Sequence, residues 1–117
     1  MLTCDAPIEV EQFILSKYGT EKNSNLQDSK SSNQLHSDVL KLGHHGSKTS
    51  TSPEFLTAMA PSYAIVSAGK DNRYGHPHKK VLDMITELGN MQLEILRTDV
   101  DGTISFYSDG STIDVEL

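Results

Sequence analysis

Two histidines stand side by side in a loop bounded by glycines, in the stretch Gly43-His44-His45-Gly46. The apolar run from Val39 to Leu42 precedes them and predicts a strand that ends at this loop. Neutral imidazole is the commonest metal ligand in proteins and exchanges protons near pH 7. Because loops on rigid scaffolds often carry function, we predict that this loop belongs to a site. The alternative is a surface loop that happens to contain two histidines.

Two further side chains follow predicted strand ends in the same way. Tyr63 to Ser67 predicts a buried strand, and the polar loop after it leads to His76. Asp5 follows Leu2, which we interpret as the tail of an earlier strand. Strand ends joined by helical crossovers gather along one edge of a sheet, so these groups are expected to converge there. A carboxylate with several imidazoles suits zinc, manganese or iron.

Helical spacing and capping residues predict three helices, at 8–18, 53–59 and 78–88. In the first helix, Val10, Phe13 and Ile14 share one face and are predicted to be core residues. Later alternating apolar residues predict three strands, around 93–95, 104–106 and 113–115, the last two joined at Asp109-Gly110. Strand, helix, strand and helix followed by a small meander predict an α/β layer with a mixed sheet.

The composition limits the classes of function. The chain has 117 residues, which suits one small domain, and its formal net charge is −6. An acidic chain argues against a surface that coats nucleic acid, but a metal site can still bind phosphate through its cations. The single cysteine, Cys4, excludes an internal disulfide. No apolar run approaches the length of a membrane span, so this segment is expected to make no membrane contact.

The stretch from residue 20 to 37 differs in composition from the rest of the chain. It is rich in Ser and Asn, and its apolar residues are only Leu26 and Leu35. Such a segment buries too little apolar surface to offset its ordering entropy. We therefore predict a mobile surface insertion, with His36 solvated near its end.

The same residues carry a resemblance to a known family. Asp38 to Ser50 closely resembles the Asp-Val-Leu-Lys-X-Gly-His-His-Gly-Ser-X-Thr-Ser signature of the hydrolase domain in ComEC-type competence proteins, which have the metallo-β-lactamase fold. Thr3-Cys4-Asp5 resembles the Thr-Gly-Asp strand end of these hydrolases. The stretches 72–77 and 99–104 resemble the second signature and the closing turn. The resemblance implies an αββα sandwich of roughly twice this length.

The resemblance also implies roles for individual residues. Asp5 would be a bridging metal ligand and His45 the later metal histidine, with His44 the weaker candidate. His76 would be a catalytic proton donor or phosphate contact, unless it only packs on the following proline and caps the next helix. The substrate rim would comprise Ser47, Asn72, Arg73 and Tyr74, although Arg73 could equally be solvated.

This chain departs from the family pattern in two ways. The first metal motif, His-X-His-X-Asp-His, is missing, so the chain resembles only the C-terminal half of the fold, and Cys4 replaces the usual glycine. The expected function is part of a zinc- or manganese-dependent hydrolase of phosphodiesters or nucleic acid. The fragment alone is expected to be inactive, because it requires the N-terminal half.

The alternatives are an inactive half-domain and a non-catalytic anion-binding module. The expected location is the extracytoplasmic face if the parent is a membrane protein of the ComEC type, and the cytoplasm otherwise.

Overall fold

The computed structural model describes residues 1–19, 34–88 and 92–117. Strands β1, β2 and β3 form a parallel sheet in that order, and β4 pairs with β5 in an antiparallel hairpin. The elements are α1 (Ile8–Tyr18), β1 (Val39–Lys41), α2 (Pro53–Met59), β2 (Tyr63–Val66), α3 (Lys79–Leu88), β3 (Glu94–Arg97), α4 (Thr98–Asp101), β4 (Ser105–Ser108) and β5 (Ile113–Glu116). The predicted α/β class is confirmed.

The edge of the parallel sheet at β1 continues into the first residues of the chain. Leu2 forms an isolated parallel bridge with Lys41, and the N–H of Lys41 donates to the carbonyl of Met1 at 3.0 Å. This arrangement confirms that Leu2 follows a strand-like path beside β1. It also places Asp5, three residues later, near the carboxyl end of the sheet.

The core lies between one face of the parallel sheet and helices α2 and α3. Leu40 is opposite Ala64 in the register, and both side chains are buried against the helices. A buried leucine or isoleucine contributes about 1.5–3 kcal/mol relative to an exposed one, so this layer holds the strands in place. The buried members are Leu35, Leu40, Leu42, Phe55, Leu56, Met59, Ala64, Val66, Val81 and Ile85.

Helix α1 has the predicted bounds, but its buried face is different. Val10 and Phe13 are 43% and 61% exposed, so the prediction that they are core residues was wrong. Ile14 is partly buried against the core, whereas Glu11 is fully buried. The reason is a polar contact: the Glu11 carboxylate accepts hydrogen bonds at the start of α2, and this contact sets the rotation of the helix.

The predicted insertion also differs at its end. Leu35 is buried in the core, and the N–H of Ser37 donates to the carbonyl of Met59 at 3.1 Å. The prediction of a surface segment was therefore wrong at Leu35, because this side chain finds an apolar neighbourhood beside α2. His36 is exposed, as expected. Residues 20–33 of the predicted insertion lie outside the described residues.

The predicted meander is divided between two sheets. β3 pairs in parallel with β2, and only β4 and β5 form the hairpin, with Phe106 edge-on to Tyr63 at 5.4 Å between ring centroids. The short helix α4, which the sequence did not predict, connects β3 of the parallel sheet to β4 of the hairpin. Within the described ranges, no helix is long and apolar enough to cross a membrane.

Candidate active site at the carboxyl edge of the sheet

The first histidine loop is a tight turn directly after β1. His44 and His45 have φ angles of 44° and 56°, which is the left-handed region that L-residues seldom adopt. The N–H of His44 donates to the carbonyl of Cys4 at 2.8 Å, and the N–H of Ser47 donates to the carbonyl of His44 at 2.9 Å. Backbone strain of this kind persists only where surrounding contacts enforce it, and it often marks functional sites. The turn leaves both imidazoles exposed.

The glycines that bound this loop allow close contacts on both sides. A Cβ at Gly43 would lie 2.8 Å from the Cβ of Ser50, and a Cβ at Gly46 would lie 2.8 Å from the Cβ of Pro77. Real Cβ atoms do not approach so closely, so only glycine fits without displacing its neighbours. The contact at Gly46 joins the two histidine loops, and the N–H of His78 donates to the Gly46 carbonyl at 2.9 Å.

The second histidine loop is held by the side chain of Asn72. Its amide nitrogen donates to the carbonyls of Gly69 and His76 at 2.9 and 2.6 Å, and its amide oxygen accepts from the His76 N–H at 3.0 Å. The hydroxyl of Thr98, in α4, accepts from the N–H of Ala68 at 3.0 Å. The loop that carries His76 is therefore held by hydrogen bonds to α4 and within itself.

The structure brings the three predicted histidines together. The ring centroid of His44 lies 6.3 Å from that of His45 and 5.8 Å from that of His76. The exposed ring of Tyr74 stacks on His76 at 6.1 Å, with an interplanar angle of 17°. Four aromatic rings therefore form one continuous surface at the carboxyl ends of β1 and β2.

The hydrogen bond of His45 defines which ring nitrogen is available. Its Nδ1 lies 2.5 Å from the carbonyl oxygen of Ser67, at the end of β2. A carbonyl can only accept, so Nδ1 carries the hydrogen and the neutral ring has its lone pair on Nε2. Metal-binding histidines commonly donate their second ring N–H to a carbonyl in this way. His45 is therefore oriented to bind a metal or a proton through Nε2.

The imidazole of His76 is partly buried. Its Nδ1 is buried and has no hydrogen-bond partner among the described atoms. Burial lowers the pKa of His76, and the nearby His44, His45 and His78 lower it further. The lowered pKa favours the neutral ring, which would have to receive a proton before it could act as a proton donor. Its roles as donor or phosphate contact stay predictions.

Asp5 lies beside the first histidine loop but does not complete a metal site. It is exposed, and its neighbour Cys4 provides the carbonyl that accepts from His44. Among residues 1–19, 34–88 and 92–117, no group of three or more His, Cys, Asp or Glu side chains is arranged to hold a metal ion. The hydrogen bond of His45 orients its ring for metal binding, but the described residues do not provide enough ligands to hold an ion.

The residues predicted to form the substrate rim differ in their exposure to solvent. Ser47 is buried, and its hydroxyl lies 3.0 Å from that of Thr49, so it stabilises the turn and does not face solvent. Arg73 and Tyr74 are exposed. A cavity of about 240 Å³ lies beside the histidines and is lined by His45, Ala68, Gly69, Asn72, Tyr74 and His76.

Sequence analysis missed the residues that support the first loop from below. The buried carboxylate of Glu11 accepts from the backbone N–H groups of Thr51 and Ser52. The hydroxyl of Thr51 accepts from Gly43 N–H at 3.2 Å, and the hydroxyl of Ser50 donates to the Ala6 carbonyl at 2.9 Å. The row of hydroxyl residues after the predicted strand could have indicated the roles of Ser50 and Thr51. Nothing in the local sequence indicates that Glu11 contacts this loop.

The chain is similar in sequence to two competence proteins over most of its length. ComE operon protein 3 of Bacillus subtilis (strain 168) is 53% identical over 106 residues, which are 91% of this chain and 12% of that protein. Competence protein ComA of Neisseria gonorrhoeae is 37% identical over 106 residues, 91% of this chain and 13% of that protein. These relatives support a ComEC-type competence family for this chain.

A third relative matches a shorter stretch of the chain. Recombination protein 2 of Haemophilus influenzae (strain ATCC 51907 / DSM 11121 / KW20 / Rd) is 39% identical over 74 residues, 62% of this chain and 9% of that protein. The chain therefore spans about an eighth or less of the length of these competence and recombination proteins. No protein-family profile matches the chain. No solved structure matches it either.

Proposed function

We propose that this chain is the C-terminal half of a metal-dependent hydrolase with the metallo-β-lactamase fold, which acts on phosphodiesters of nucleic acid during DNA uptake. The observation that supports this function best is the convergence of His44, His45 and His76 at the carboxyl edge of a parallel sheet. Similarity to competence proteins supports the assignment to DNA uptake.

In this proposal, Asp5 and His45, with His44, are part of a metal-ligand set. A zinc or manganese ion bound there would act as a Lewis acid toward a phosphoryl oxygen. The remaining ligands come from sequence outside the described residues, in the preceding half of the domain. The neutral ring of His76 faces the same space, where it contacts the substrate and can accept a proton.

The second face of the parallel sheet supports the assignment as half of a sandwich. A groove of about 280 Å³ lies between this face and β4, and its lining includes Leu2, Val39, Ile65 and Phe106. Leu2 is 74% exposed. Apolar residues on an open sheet face are typical of a surface that packs against a further layer. In this proposal, that layer is the N-terminal half of the domain.

The proposal is tested in a chimera, because the chain alone is expected to lack activity. This chain would replace the matching segment of ComE operon protein 3 from Bacillus subtilis, which is 53% identical to it. The purified chimera should hydrolyse a labelled DNA strand in the presence of manganese or zinc, and chelation should stop the reaction. His45→Ala should reduce hydrolysis by about a hundredfold, because it removes a proposed metal ligand, and even the loss of a group that supports a ligand costs about 10- to 100-fold.

The matched control is His36→Ala, since His36 is an exposed histidine away from the cluster. It should leave the rate unchanged. Equal rates in the His45 and His36 variants, or no hydrolysis by the unaltered chimera, would favour an inactive or anion-binding module instead.

A further inference from the structure

We infer that Tyr74 forms a stacking platform for an unpaired nucleobase at this site. This inference assigns a substrate contact within the proposed function and rests on that function for the identity of the polymer. Tyr74 is 76% exposed, although it is one of the largest apolar side chains in the chain. Its ring is nevertheless held parallel to that of His76.

The position of Tyr74 is fixed by its loop, which is what a platform requires. The three hydrogen bonds of the Asn72 amide close the loop around Tyr74, and the N–H of Gly75 donates to the Asn72 carbonyl at 3.2 Å. The imidazole of His76 lies beside the tyrosine ring and nearly parallel to it, with 6.1 Å between the ring centroids. A rigid aromatic ring loses little entropy when a ligand stacks on its open face.

The cavity beside Tyr74 connects this ring with the imidazole cluster. Its lining includes both Tyr74 and His45, together with the small residues Ala68 and Gly69. A nucleotide whose base stacks on Tyr74 would therefore have room for its sugar and phosphate on the side of the histidines. A base that is paired in a duplex is already stacked between its neighbours and cannot use this surface.

The charge of the loop segment is opposite in sign to that of the whole chain. Residues 70–80 contain four Lys and Arg residues and one Asp, whereas the complete chain has a net charge of −6. Lys70 and Arg73 are exposed, and neither forms an ion pair with another described residue. A local basic segment beside an exposed aromatic ring is the combination that binds single strands, with phosphates on the cations and bases on the ring.

Binding is measured without metal, so that the result does not depend on hydrolysis. Fluorescence anisotropy in EDTA would compare three labelled probes of equal length: an oligothymidylate, an abasic strand with the same phosphates, and the oligothymidylate in a duplex. The unaltered chain should bind the oligothymidylate about tenfold more tightly than the other two probes, which is within the range for one stacked base.

The variants separate stacking from charge. Tyr74→Ala should weaken binding of the oligothymidylate about tenfold and leave binding of the abasic strand unchanged, whereas Tyr74→Phe should retain the affinity. Arg73→Gln should weaken both strands equally and reduce the salt dependence. Tyr107→Ala is the matched control, since Tyr107 is 57% exposed and lies on the β4–β5 hairpin, away from the strand ends that carry the histidines.

Three results would overturn the inference: no binding by the unaltered chain, equal binding of the abasic strand, or equal affinities for Tyr74→Ala and Tyr107→Ala. Far-ultraviolet circular dichroism of each variant excludes loss of fold as the cause. Failure of the inference can be distinguished from failure of the proposed function. A chimera that hydrolyses DNA while Tyr74→Ala binds normally refutes only the platform, and stacking without hydrolysis refutes only the catalytic role.

Discussion

Gly46 packs directly against Pro77, and this contact joins the two histidine loops that follow β1 and β2. Gly46 has a φ of 80°, and a Cβ placed on it would lie 2.8 Å from the proline Cβ and 3.2 Å from its Cα. The Gly46 carbonyl also accepts from His78 N–H at 2.9 Å. The two loops, and with them His44 and His76, can therefore come this close only because residue 46 has no Cβ.

Gly46→Ala should destabilise the protein by about 2–4 kcal/mol, because it combines an unfavourable φ with a steric clash against the Cβ of Pro77, which the proline ring ties to the backbone. Gly110→Ala is the matched control: its φ is 90°, but a Cβ there would meet nothing within 4 Å. The free energy of unfolding should therefore fall only by the cost of the positive φ, about 1–2 kcal/mol. Urea unfolding of both variants measures the difference, and equal losses would show that the contact with Pro77 can relax.

Glu11→Gln should destabilise the protein by about 1–3 kcal/mol. The carboxylate of Glu11 is fully buried and accepts from two backbone N–H groups, those of Thr51 and Ser52. An amide group offers one acceptor oxygen and would turn its NH₂ toward a second donor. Glu9→Gln, an exposed change on the same helix, is the control and should be nearly neutral. Similar midpoints in urea for both variants would contradict the structural role of Glu11.

The case of helix α1 shows what a sequence can and cannot predict about this fold. Its bounds follow from periodic apolar residues and from Gly19 at its end, and the structure has the same bounds. Which side is buried depends on what packs there. Glu11 faces the start of α2, more than forty residues later, and no local pattern records that contact. Phe13 consequently lies on the exposed side.

The candidate site shows the same division. Strand ends followed by Gly and His are local signals, so the convergence of the histidines at the sheet edge could be predicted from the sequence. The sequence alone could not predict which partners the polar side chains of these loops have. Asn72 and Ser47 have the composition of a substrate rim, but their polar groups are used by the backbone and by Thr49. Such local hydrogen bonds compete with any external ligand.

Asp99→Asn should destabilise the protein at neutral pH and much less in acid. The guanidinium of Arg97 binds the Asp99 carboxylate through two contacts, at 3.1 and 2.6 Å, and this hydrogen bonding lowers the pKa of Asp99. A depressed folded-state pKa stabilises the fold above the unfolded pKa, and this stabilisation is lost as the pH falls through the folded value. We expect a loss of about 1 kcal/mol at pH 7.

Urea unfolding across the acidic range measures this dependence. Asp83→Asn is the control: its pair with Lys79 is a surface pair, with side chains 50% and 84% exposed. Such pairs contribute little, so this variant should be nearly neutral at every pH. A loss in Asp99→Asn that does not diminish in acid would indicate a packing effect instead of the ion pair.

Cys4→Gly should stabilise the protein slightly, by up to about 1 kcal/mol. Cys4 is exposed and has a φ of 47°, a conformation that favours glycine. The gain from relieved strain is partly offset by the larger conformational entropy of glycine in the unfolded chain. Cys4→Ala removes the thiol but keeps the Cβ, so it should give no gain. If both variants gain equally, the thiol and not the backbone conformation is the source of strain.

Metal binding by the chain alone should be weak and should depend on Asp5 and His45. The Nε2 of His45 is free because its Nδ1 donates to Ser67, but the described residues contain no complete group of donors. Calorimetry with zinc and manganese should therefore detect low affinity, and Asp5→Ala and His45→Ala should each reduce it by about tenfold or more. His36→Ala, which removes an exposed histidine outside the cluster, should leave the affinity unchanged. Equal losses in all three variants would indicate adventitious binding to surface side chains and would remove the support for a metal site at this edge of the sheet.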